Sequence, residues 1–304
     1  MIVSEFIAGL AALALAGAMA STAGRRLLVR RYRNGARIRE YLIIVLGGLG
    51  LAATTFSVIH PHPHIDAAVV PAALVLVLTL AIFTLLNTRI APPQATSPKR
   101  VLAIGAHPDD LELACGATLA RLVDTGHEVH AIVLSHGAQG GDASTRPAEA
   151  QRAADFLGLA SITVHDLPDT NFELVPNELV RLIEAAIAET NPQVIFTHSQ
   201  HDQHQDHHAV HLATLRAARQ HHSILCFESP STTREFNPDV FIDVEDYTEV
   251  KVASVLTHRN QAGKPYMTPE VVRGITAFRG RQAKRTHAEG FEAVRLLVTE
   301  SGVL

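Results

Sequence analysis

Residues 100–112, Arg-Val-Leu-Ala-Ile-Gly-Ala-His-Pro-Asp-Asp-Leu-Glu, decide the fold of this chain. The apolar run from Arg100 to Gly105 is typical of a buried strand, and a histidine and two aspartates follow it. Pro108 suits the first position of a helix, where acidic side chains are favoured by the helix dipole. Proline and acids alone make a good helix start, but they do not explain a histidine beside two aspartates at the carboxyl end of a strand.

The same alternation of short apolar runs and helical periodicity continues beyond this stretch. The predicted strands are Arg100–Gly105, Glu128–Leu134, Ser161–His165, Gln193–Thr197, Ser223–Glu228 and Val240–Asp243. The predicted helices are Leu111–Thr125, Arg146–Leu157, Pro176–Thr190, His207–His221 and Tyr247–His258. This order predicts an α/β domain with a parallel sheet covered on both faces and a ligand site outside the carboxyl ends of its strands. The first turn lacks the glycine spacing of a dinucleotide site.

A second polar turn follows the fourth predicted strand. Residues 198–208 read His-Ser-Gln-His-Asp-Gln-His-Gln-Asp-His-His. Two such turns on parallel strands meet at one edge of the sheet, where they can offer two imidazoles and a carboxylate to one ion. Two histidines, one carboxylate and an open position are a catalytic zinc set. A pair formed by His207 and His211 on one helix face is an alternative chelate, and a histidine-rich metal carrier is an alternative function.

Taken together, these motifs resemble one known family. The sequence is similar to the zinc-dependent PIG-L or LmbE-like N-acetylglucosaminyl deacetylases over about residues 100 to 295. The resemblance depends on A-H-P-D-D-x-E at Ala106 to Glu112 and on H-x-D-H at His204 to His207. Weaker matches are Arg146 and Glu149 with Leu157 and Gly158, then Pro168 and Asp169, and finally Ala288, Glu289 and Phe291. Histidine at position 208 departs from the family, where arginine is common.

The resemblance implies a Rossmann-like fold, mostly parallel, and a metal-dependent hydrolase acting on a linear amide. It implies that His107, Asp110 and His207 bind the metal, expected to be Zn²⁺ with Fe²⁺ as the alternative, and that Asp109 is the general base. The substrate would be an N-acetylated amino sugar, free or lipid-linked. A non-catalytic membrane protein that retains the fold to bind sugars or metal is the alternative in a different class.

Further residues have expected roles around this centre. His204 can be protonated and stabilise the oxyanion, and Asp206 can orient a histidine. Arg146 and Asp169 can hold sugar hydroxyls or a phosphate of the substrate, or form an ordinary surface ion pair. Glu112 is expected to support the site without binding the metal.

The first 90 residues predict a membrane anchor. Three uncharged apolar stretches, Phe6–Gly24, Tyr41–Ile59 and Ala67–Asn87, are each long enough to cross a bilayer. The first, which contains Ala18-Met19-Ala20, has a cleaved signal peptide as its alternative reading. The pattern therefore predicts a bundle of three transmembrane helices, a proline-rich linker over residues 91–98, and a deacetylase domain over residues 99–304.

Charge predicts the orientation of this anchor. Seven arginines lie between the first two stretches, at positions 25, 26, 30, 31, 33, 37 and 39. Basic loops favour the cytoplasmic side, so we expect an external amino terminus and a cytoplasmic catalytic domain. The turn His60-Pro61-His62-Pro63-His64 could chelate a metal, but prolines hold its imidazoles apart, which favours a polar turn between spans.

Composition excludes several other classes of protein. The chain of 304 residues is 47% hydrophobic with only two cysteines, which excludes a disordered or disulfide-stapled protein. Those two, Cys115 and Cys226, are expected to be buried packing residues. The balance of charge is +5 over residues 1–98 and −9 over the rest. An acidic catalytic region without tryptophan argues against nucleic acid as a partner.

Overall fold

The structure is a computed structural model that describes residues 2–59 and 69–297. It separates into two compact units, Met1–Ile90 and Ala91–Leu304. The turn at residues 60–64, discussed above as a histidine-rich segment, lies outside the described residues.

The described residues of the amino-terminal unit form four helices. They are α1 (Ile2–Ala20), α2 (Thr22–Arg31), α3 (Gly35–Ile59) and α4 (Val69–Thr88). Helices α1 and α3 approach closely where Gly9 faces Gly50, because a Cβ on Gly50 would lie 2.8 Å from the Gly9 carbonyl oxygen. Small residues at such a contact are typical of helix packing in membranes.

The first predicted span is interrupted near its end. Helix α1 stops at Ala20, and α2 turns away from it by 71°. Ser21 stabilises the corner, because its hydroxyl donates to the Ala18 carbonyl at 2.6 Å and accepts from the Gly24 N–H at 3.1 Å. The Arg39 guanidinium of α3 donates to the last carbonyls of α1 at 2.7 Å, where a cation also complements the helix dipole.

Two helices of this unit are each long and apolar enough to cross a membrane. These are α3 and α4, with mean hydropathies of 2.2 and 2.7 over their most apolar windows. The bent pair α1 and α2 satisfies the same test only when it is taken as one broken span. The described residues thus contain two candidate spans, or three if the bent pair counts.

The second unit is built on a seven-stranded sheet. Its strands are β1 (Arg100–Gly105), β2 (Glu128–Val133), β3 (Ser161–Val164), β4 (Val194–His198), β5 (Ile224–Phe227), β6 (Val240–Asp243) and β7 (Ala288–Arg295). Their order is β3-β2-β1-β4-β5-β7-β6. The first five strands of this order are parallel, and β7 runs antiparallel to both β5 and β6. The prediction of a mostly parallel α/β sheet is confirmed.

Helices cover both faces of the sheet. They are α5 (Asp110–Asp124), α6 (Arg146–Leu157), α7 (Pro176–Thr190), α8 (Gln205–Ala217), α9 (Thr248–Val255) and α10 (Pro269–Gln282). One apolar core joins α5 to the face that carries Val101 and Ala103. The other joins α7 and α8 to the face that carries Leu102 and Ile104. Alternate residues of β1 therefore enter opposite cores, as expected for a strand buried on both sides.

Helix α5 is kinked one turn after it begins, at Cys115 (φ −137°, ψ 17°). A buried ion pair between Lys251 and Glu289, 2.6 Å apart, occupies the kink. The Lys251 ammonium donates to the Ala114 carbonyl at 3.1 Å, while the Glu289 carboxylate accepts from the Thr118 N–H at 2.7 Å. The ion pair thus binds backbone groups on both sides of the kink.

Among the described residues of the second unit, one strand and one α-helix were not predicted from the sequence. Strand β7 carries two glutamates, a glycine and an arginine among its eight residues, so its alternation is weak. It is nevertheless placed between β5 and β6, where Phe291 packs in the core. Helix α10 was also missed. Elsewhere the predicted boundaries differ from the structure by a few residues, and α8 begins at Gln205, two residues before its predicted start.

Candidate metal centre

The site lies where the order of the strands reverses. The chain leaves β1 toward β2 on one side, while β4 lies on the other side, so the turns after β1 and β4 open a crevice between them. Ligands of open α/β sheets bind at this switch point. The two polar turns singled out in the sequence are the walls of this crevice, as their positions after β1 and β4 predicted.

Asp110, the first residue of α5, is held rigidly by the backbone. Its Oδ2 accepts hydrogen bonds from the N–H groups of Ala106 at 3.0 Å and His107 at 2.7 Å. Burial opposes ionisation, but the neighbouring His207 and His198 outweigh it and hold the pKa of Asp110 well below its usual range. The carboxylate is therefore anionic and fixed in position before any ligand arrives.

Three predicted metal ligands converge in this crevice. The His107 Nδ1 lies 3.3 Å from the His207 Nε2, which lies 3.3 Å from an oxygen of Asp110. The other Asp110 oxygen is 3.6 Å from the His107 Nδ1. Tetrahedral zinc with bonds of about 2.0–2.1 Å places its ligand atoms about 3.3–3.4 Å apart. The two 3.3 Å distances, which share the His207 Nε2, match this spacing, so the donor set suits such an ion. His207 also belongs to two other close groups of possible ligands, one with His107 and His204 and one with Asp110 and His198.

His107 is oriented by carboxylates on its far side. Its Nε2 lies 3.0 Å from oxygens of both Asp206 and Asp169, which leaves Nδ1 facing the crevice. Asp206 is itself fixed, because it accepts from the backbone N–H groups of Thr170 and Phe172. Burial alone would lower the pKa of His107, but hydrogen bonds to Asp110, Asp169 and Asp206 raise it well above its usual value.

His207 is oriented in the same manner by Asp202, a residue not singled out in the sequence. Its Nδ1 lies 2.9 Å from the Asp202 Oδ2, so Nε2 faces the crevice. The hydroxyls of Ser229 and Ser231 donate to the two oxygens of Asp202 at 2.5 and 2.6 Å. Although burial opposes it, Asp110 and Asp202 raise the pKa of His207 to about 9.

His198, the last residue of β4, is a further buried neighbour that sequence reasoning missed. Its ring stacks on that of His207 with centroids 3.9 Å apart, and its Nε2 accepts from the Ala106 N–H at 3.1 Å. Burial and the charge of His207 lower the pKa of His198 to about 4, so the ring is neutral. His198 thus supports one face of the His207 ring.

Asp109 lies beside the ligands with a strained backbone. Its φ of 115° is in the left-handed region, which costs about 1–3 kcal/mol for a residue with a side chain. The carboxylate is buried and lies 3.5 Å from the Arg146 guanidinium. Burial and then Asp110 raise the pKa of Asp109 to about 6, against the opposing charge of Arg146. A carboxylate with this pKa can accept a proton near neutral pH.

His204 caps the amino terminus of α8, and its ring lies against those of His107 and His207. Its ring stacks on His207 with centroids 4.5 Å apart, and its Nδ1 accepts from the Asp206 N–H at 3.3 Å. Burial, His207 and His107 lower the pKa of His204. A neutral His204 ring therefore carries its proton on Nε2, and the oxyanion role expected of a protonated His204 stays a prediction.

A cavity of about 300 Å³ opens from these residues to the surface. Arg146 and Asp169, the predicted substrate contacts, both line it. Each is already engaged, because the Arg146 guanidinium donates to the carbonyls of Gly137 and Pro108 and the Asp169 Oδ2 accepts from the Gln139 N–H. Both residues thus shape the wall around Asp109 and His107.

Glu112 and His211 lie outside the cavity. The Glu112 carboxylate is buried and lies 3.2 Å from the Nε2 of His258, a supporting position like that expected for it. The His211 Nδ1 donates to the His198 carbonyl, which leaves it out of the cluster around His207. Cys115 and Cys226 are both free and buried, as expected.

Sequence comparisons place these observations among known proteins. A family model described as PIG-L, GlcNAc-PI de-N-acetylase, matches residues 102–218. An uncharacterised deacetylase, YaiS of Escherichia coli, is 39% identical over 174 residues, covering 55% of this chain and 94% of the relative. The diacetylchitobiose deacetylase of Thermococcus kodakarensis is 28% identical over 231 residues, covering 64% and 83% respectively.

The fold is also that of a solved enzyme with a different reaction. The crystal structure of a 4-carboxy-2-hydroxymuconate hydratase from Pseudomonas putida superposes with a TM-score of 0.59 at 24% identity. The match covers 66% of this chain and 98% of the hydratase. At this identity the likeness concerns the fold alone.

The fold and its site define an α/β protein in which histidines and aspartates suited to a metal ion lie at the switch point of the sheet. The chain belongs to the PIG-L deacetylase family, and its named relatives are hydrolases that act on N-acetyl amides.

Proposed function

We propose that this protein is a membrane-anchored, zinc-dependent deacetylase that converts the N-acetyl amide of a GlcNAc-containing substrate into acetate and a free amine. One observation carries the proposal: three side chains suited to bind a metal lie beside a buried carboxylate that is not one of them. His107, Asp110 and His207 suit the metal, while Asp109 remains outside them with a pKa near 6.

His107, Asp110 and His207 would hold the ion, with Zn²⁺ favoured by two imidazoles and one carboxylate. When bound, such an ion lowers the pKa of a water molecule and polarises a carbonyl group. Asp206 and Asp202 keep the correct nitrogen of each histidine directed into the crevice, because each carboxylate holds the opposite nitrogen.

Asp109 would act as the general base and then as the general acid. Its carboxylate accepts the proton of the attacking water, and the amine leaves with that proton. A pKa near neutral suits both steps. The neutral His204 lies across the cavity with a proton on Nε2, which can be donated to an oxygen of the substrate.

The substrate class is proposed from the relatives and from the shape of the cavity. The name of the Thermococcus relative indicates that it deacetylates diacetylchitobiose, an N-acetylated amino sugar. The volume of about 300 Å³ lies at the lower end for small-molecule sites, so one sugar can enter while any larger attached group stays outside.

The membrane part of the proposal depends on the first 90 residues. Helices α3 and α4 are long and apolar enough to cross a bilayer. The arginines at positions 25–39 favour the cytoplasmic side for their segment, which gives an external amino terminus and a cytoplasmic catalytic domain. An anchored enzyme suits a lipid-linked glycan, so we propose such a substrate modified at the cytoplasmic face.

The test is amine release by the purified full-length protein in detergent. It should release amine from N-acetylglucosaminyl inositol, its phospholipid form or polyprenyl-linked GlcNAc, and zinc should restore activity after chelation. If the protein releases no amine from any N-acetylated sugar and instead hydrates an unsaturated dicarboxylate, it is a hydratase of the same fold and not a deacetylase.

A further inference from the structure

The connection between α9 and α10 closes one side of the metal cavity. It contributes Lys264 and Tyr266, which lie some 150 residues from the β1 turn in sequence and beyond the span of the family model. A short 3₁₀ turn, Pro265–Met267, presents Tyr266 to the cavity. Neither residue belongs to the motifs that identified the site.

Tyr266 is held in place by packing and by its turn. Its ring packs against an apolar cluster that includes Leu113 of α5 and Val255 of α9. The Met267 N–H donates to the Lys264 carbonyl at 3.0 Å, which fixes the turn. A side chain held in this manner loses little entropy when it binds a ligand, so its hydroxyl is a preorganised group.

Several hydrogen-bond donors around the cavity are already used. The Arg146 guanidinium donates to two backbone carbonyls, the Ser231 hydroxyl donates to Asp202, and the Thr170 N–H donates to Asp206. By contrast, the Tyr266 hydroxyl has no hydrogen-bond partner within residues 2–59 and 69–297. It is thus a donor still available to a ligand.

The hydroxyl also keeps its proton throughout the neutral range. Burial, followed by the charges of Asp109 and Asp110, raises the pKa of Tyr266 to about 12. Tyr266 lines the same cavity as these two carboxylates. The Lys264 ammonium lies 5.8 Å from the centre of the same ring, where a cation is attracted to the aromatic face.

Amide hydrolysis requires such a donor. The acyl oxygen gains negative charge as water adds to the carbonyl carbon, and a fixed donor at that oxygen favours the transition state over the ground state. We infer that Tyr266 is a further catalytic residue, whose hydroxyl donates a hydrogen bond to the acyl oxygen of the substrate. The inference rests on the proposed deacetylase function.

The test compares Tyr266→Phe with Tyr247→Phe in the full-length protein. Tyr247 is the matched control, because it is a buried tyrosine outside the cavity whose hydroxyl donates to Asp124. For Tyr266→Phe we expect kcat for amine release to fall about 10²-fold with KM nearly unchanged and full metal content. The Tyr247→Phe protein should retain the wild-type kcat.

A binding measurement separates this role from loss of activity in general. A methylphosphonamide of glucosamine imitates the tetrahedral geometry and its charged oxygen, so Tyr266→Phe should weaken its binding at least tenfold by calorimetry. Binding of glucosamine, which lacks the acyl group, should not change.

An unchanged kcat and unchanged analogue binding in Tyr266→Phe would overturn the inference. So would a raised KM with normal kcat, because the hydroxyl would then contact the sugar in the ground state. A wild-type protein that releases no amine from any N-acetylated sugar would instead contradict the proposed function.

Discussion

At the scale of single residues, the proposed function gives two neighbouring carboxylates separate roles, one in binding the metal and one in transferring a proton. Asp109 and Asp110 are consecutive, yet their carboxylates have opposite pKa shifts. Asp110 receives two backbone N–H groups and neighbouring imidazoles, whereas Asp109 is turned away by its left-handed backbone into a buried position beside Arg146. One peptide bond thus joins the anionic carboxylate proposed to bind the metal to a carboxylate that can exchange a proton near neutral pH.

The first prediction concerns Asp109. Asp109→Asn preserves the volume and leaves the three donors in place, but it removes the proton acceptor. We expect kcat to fall about 10²-fold or more, with metal content by elemental analysis equal to wild type. Turnover that remains normal in a metal-replete variant would exclude Asp109 as the base.

The second prediction concerns Asp202, which orients His207 without contacting the cavity. Asp202→Ala frees the His207 ring and leaves the Ser229 and Ser231 hydroxyls without their acceptor. We expect the affinity for zinc to fall about 10- to 100-fold in a competition titration with a chromophoric chelator. Asp155→Ala is the matched control, since Asp155 is an exposed residue of α6. Equal affinities in both variants would remove Asp202 from the metal centre.

At the scale of elements, the kink in α5 explains a short sequence match whose residues lie outside the cavity. Glu289 was noted in the sequence as part of a weak family match, and the structure places it with Lys251 at the kink. Both side chains are almost fully buried. The pair thereby links β7 and α9 to the helix that begins with Asp110.

The third prediction follows from this ion pair. Glu289→Gln leaves the Lys251 ammonium buried without a counter-charge, which should destabilise the protein by about 3–5 kcal/mol in chemical unfolding of the full-length protein. The double variant Glu289→Gln with Lys251→Met should recover part of that loss, because the uncompensated charge is gone. A double variant less stable than the single variant would contradict this explanation.

Much of the element order could be predicted, because it depends on short-range pattern. Strands such as β1 and β6 are contiguous apolar runs, and the helices between them have clear periodicity or a proline start. Strand β7 could not be predicted, since its polar residues are stabilised by partners distant in sequence, such as Lys251 for Glu289.

The candidate site could likewise be predicted only where it depends on local sequence motifs. Its ligand turns are local motifs, and they led to His107, Asp110 and His207. The roles of Asp202 and Tyr266 depend instead on contacts between segments, with Ser229 and Ser231 in one case and Leu113 in the other. The neutral state of His204 likewise depends on burial beside His207, which the sequence does not display.

At the scale of the whole molecule, the fourth prediction tests why an enzyme would carry an anchor. Removal of residues 1–90 leaves the unit from Ala91 onward, which has its own sheet and cores. We expect the truncated protein to deacetylate a soluble analogue as the full chain does, but to lose most activity on lipid-linked GlcNAc in vesicles. Activity restricted to soluble sugars in both proteins would contradict a lipid-linked substrate.

The pairing of β1 with β4 has a consequence for how the protein tolerates loss of its ion. Val101 pairs with Val194, and Ala103 pairs with Phe196. These apolar contacts between distant segments bring the residues proposed to bind the metal together before any ion is present. Small zinc domains, by contrast, unfold when chelated. A chelator should therefore abolish activity while circular dichroism stays native. Removal of the ion should lower the melting temperature only by the amount that metal binding adds to the stability of the folded state. Titration with zinc should restore it. We therefore expect the metal ion to exchange without unfolding of the protein, so the site can take up whichever divalent metal the cell supplies.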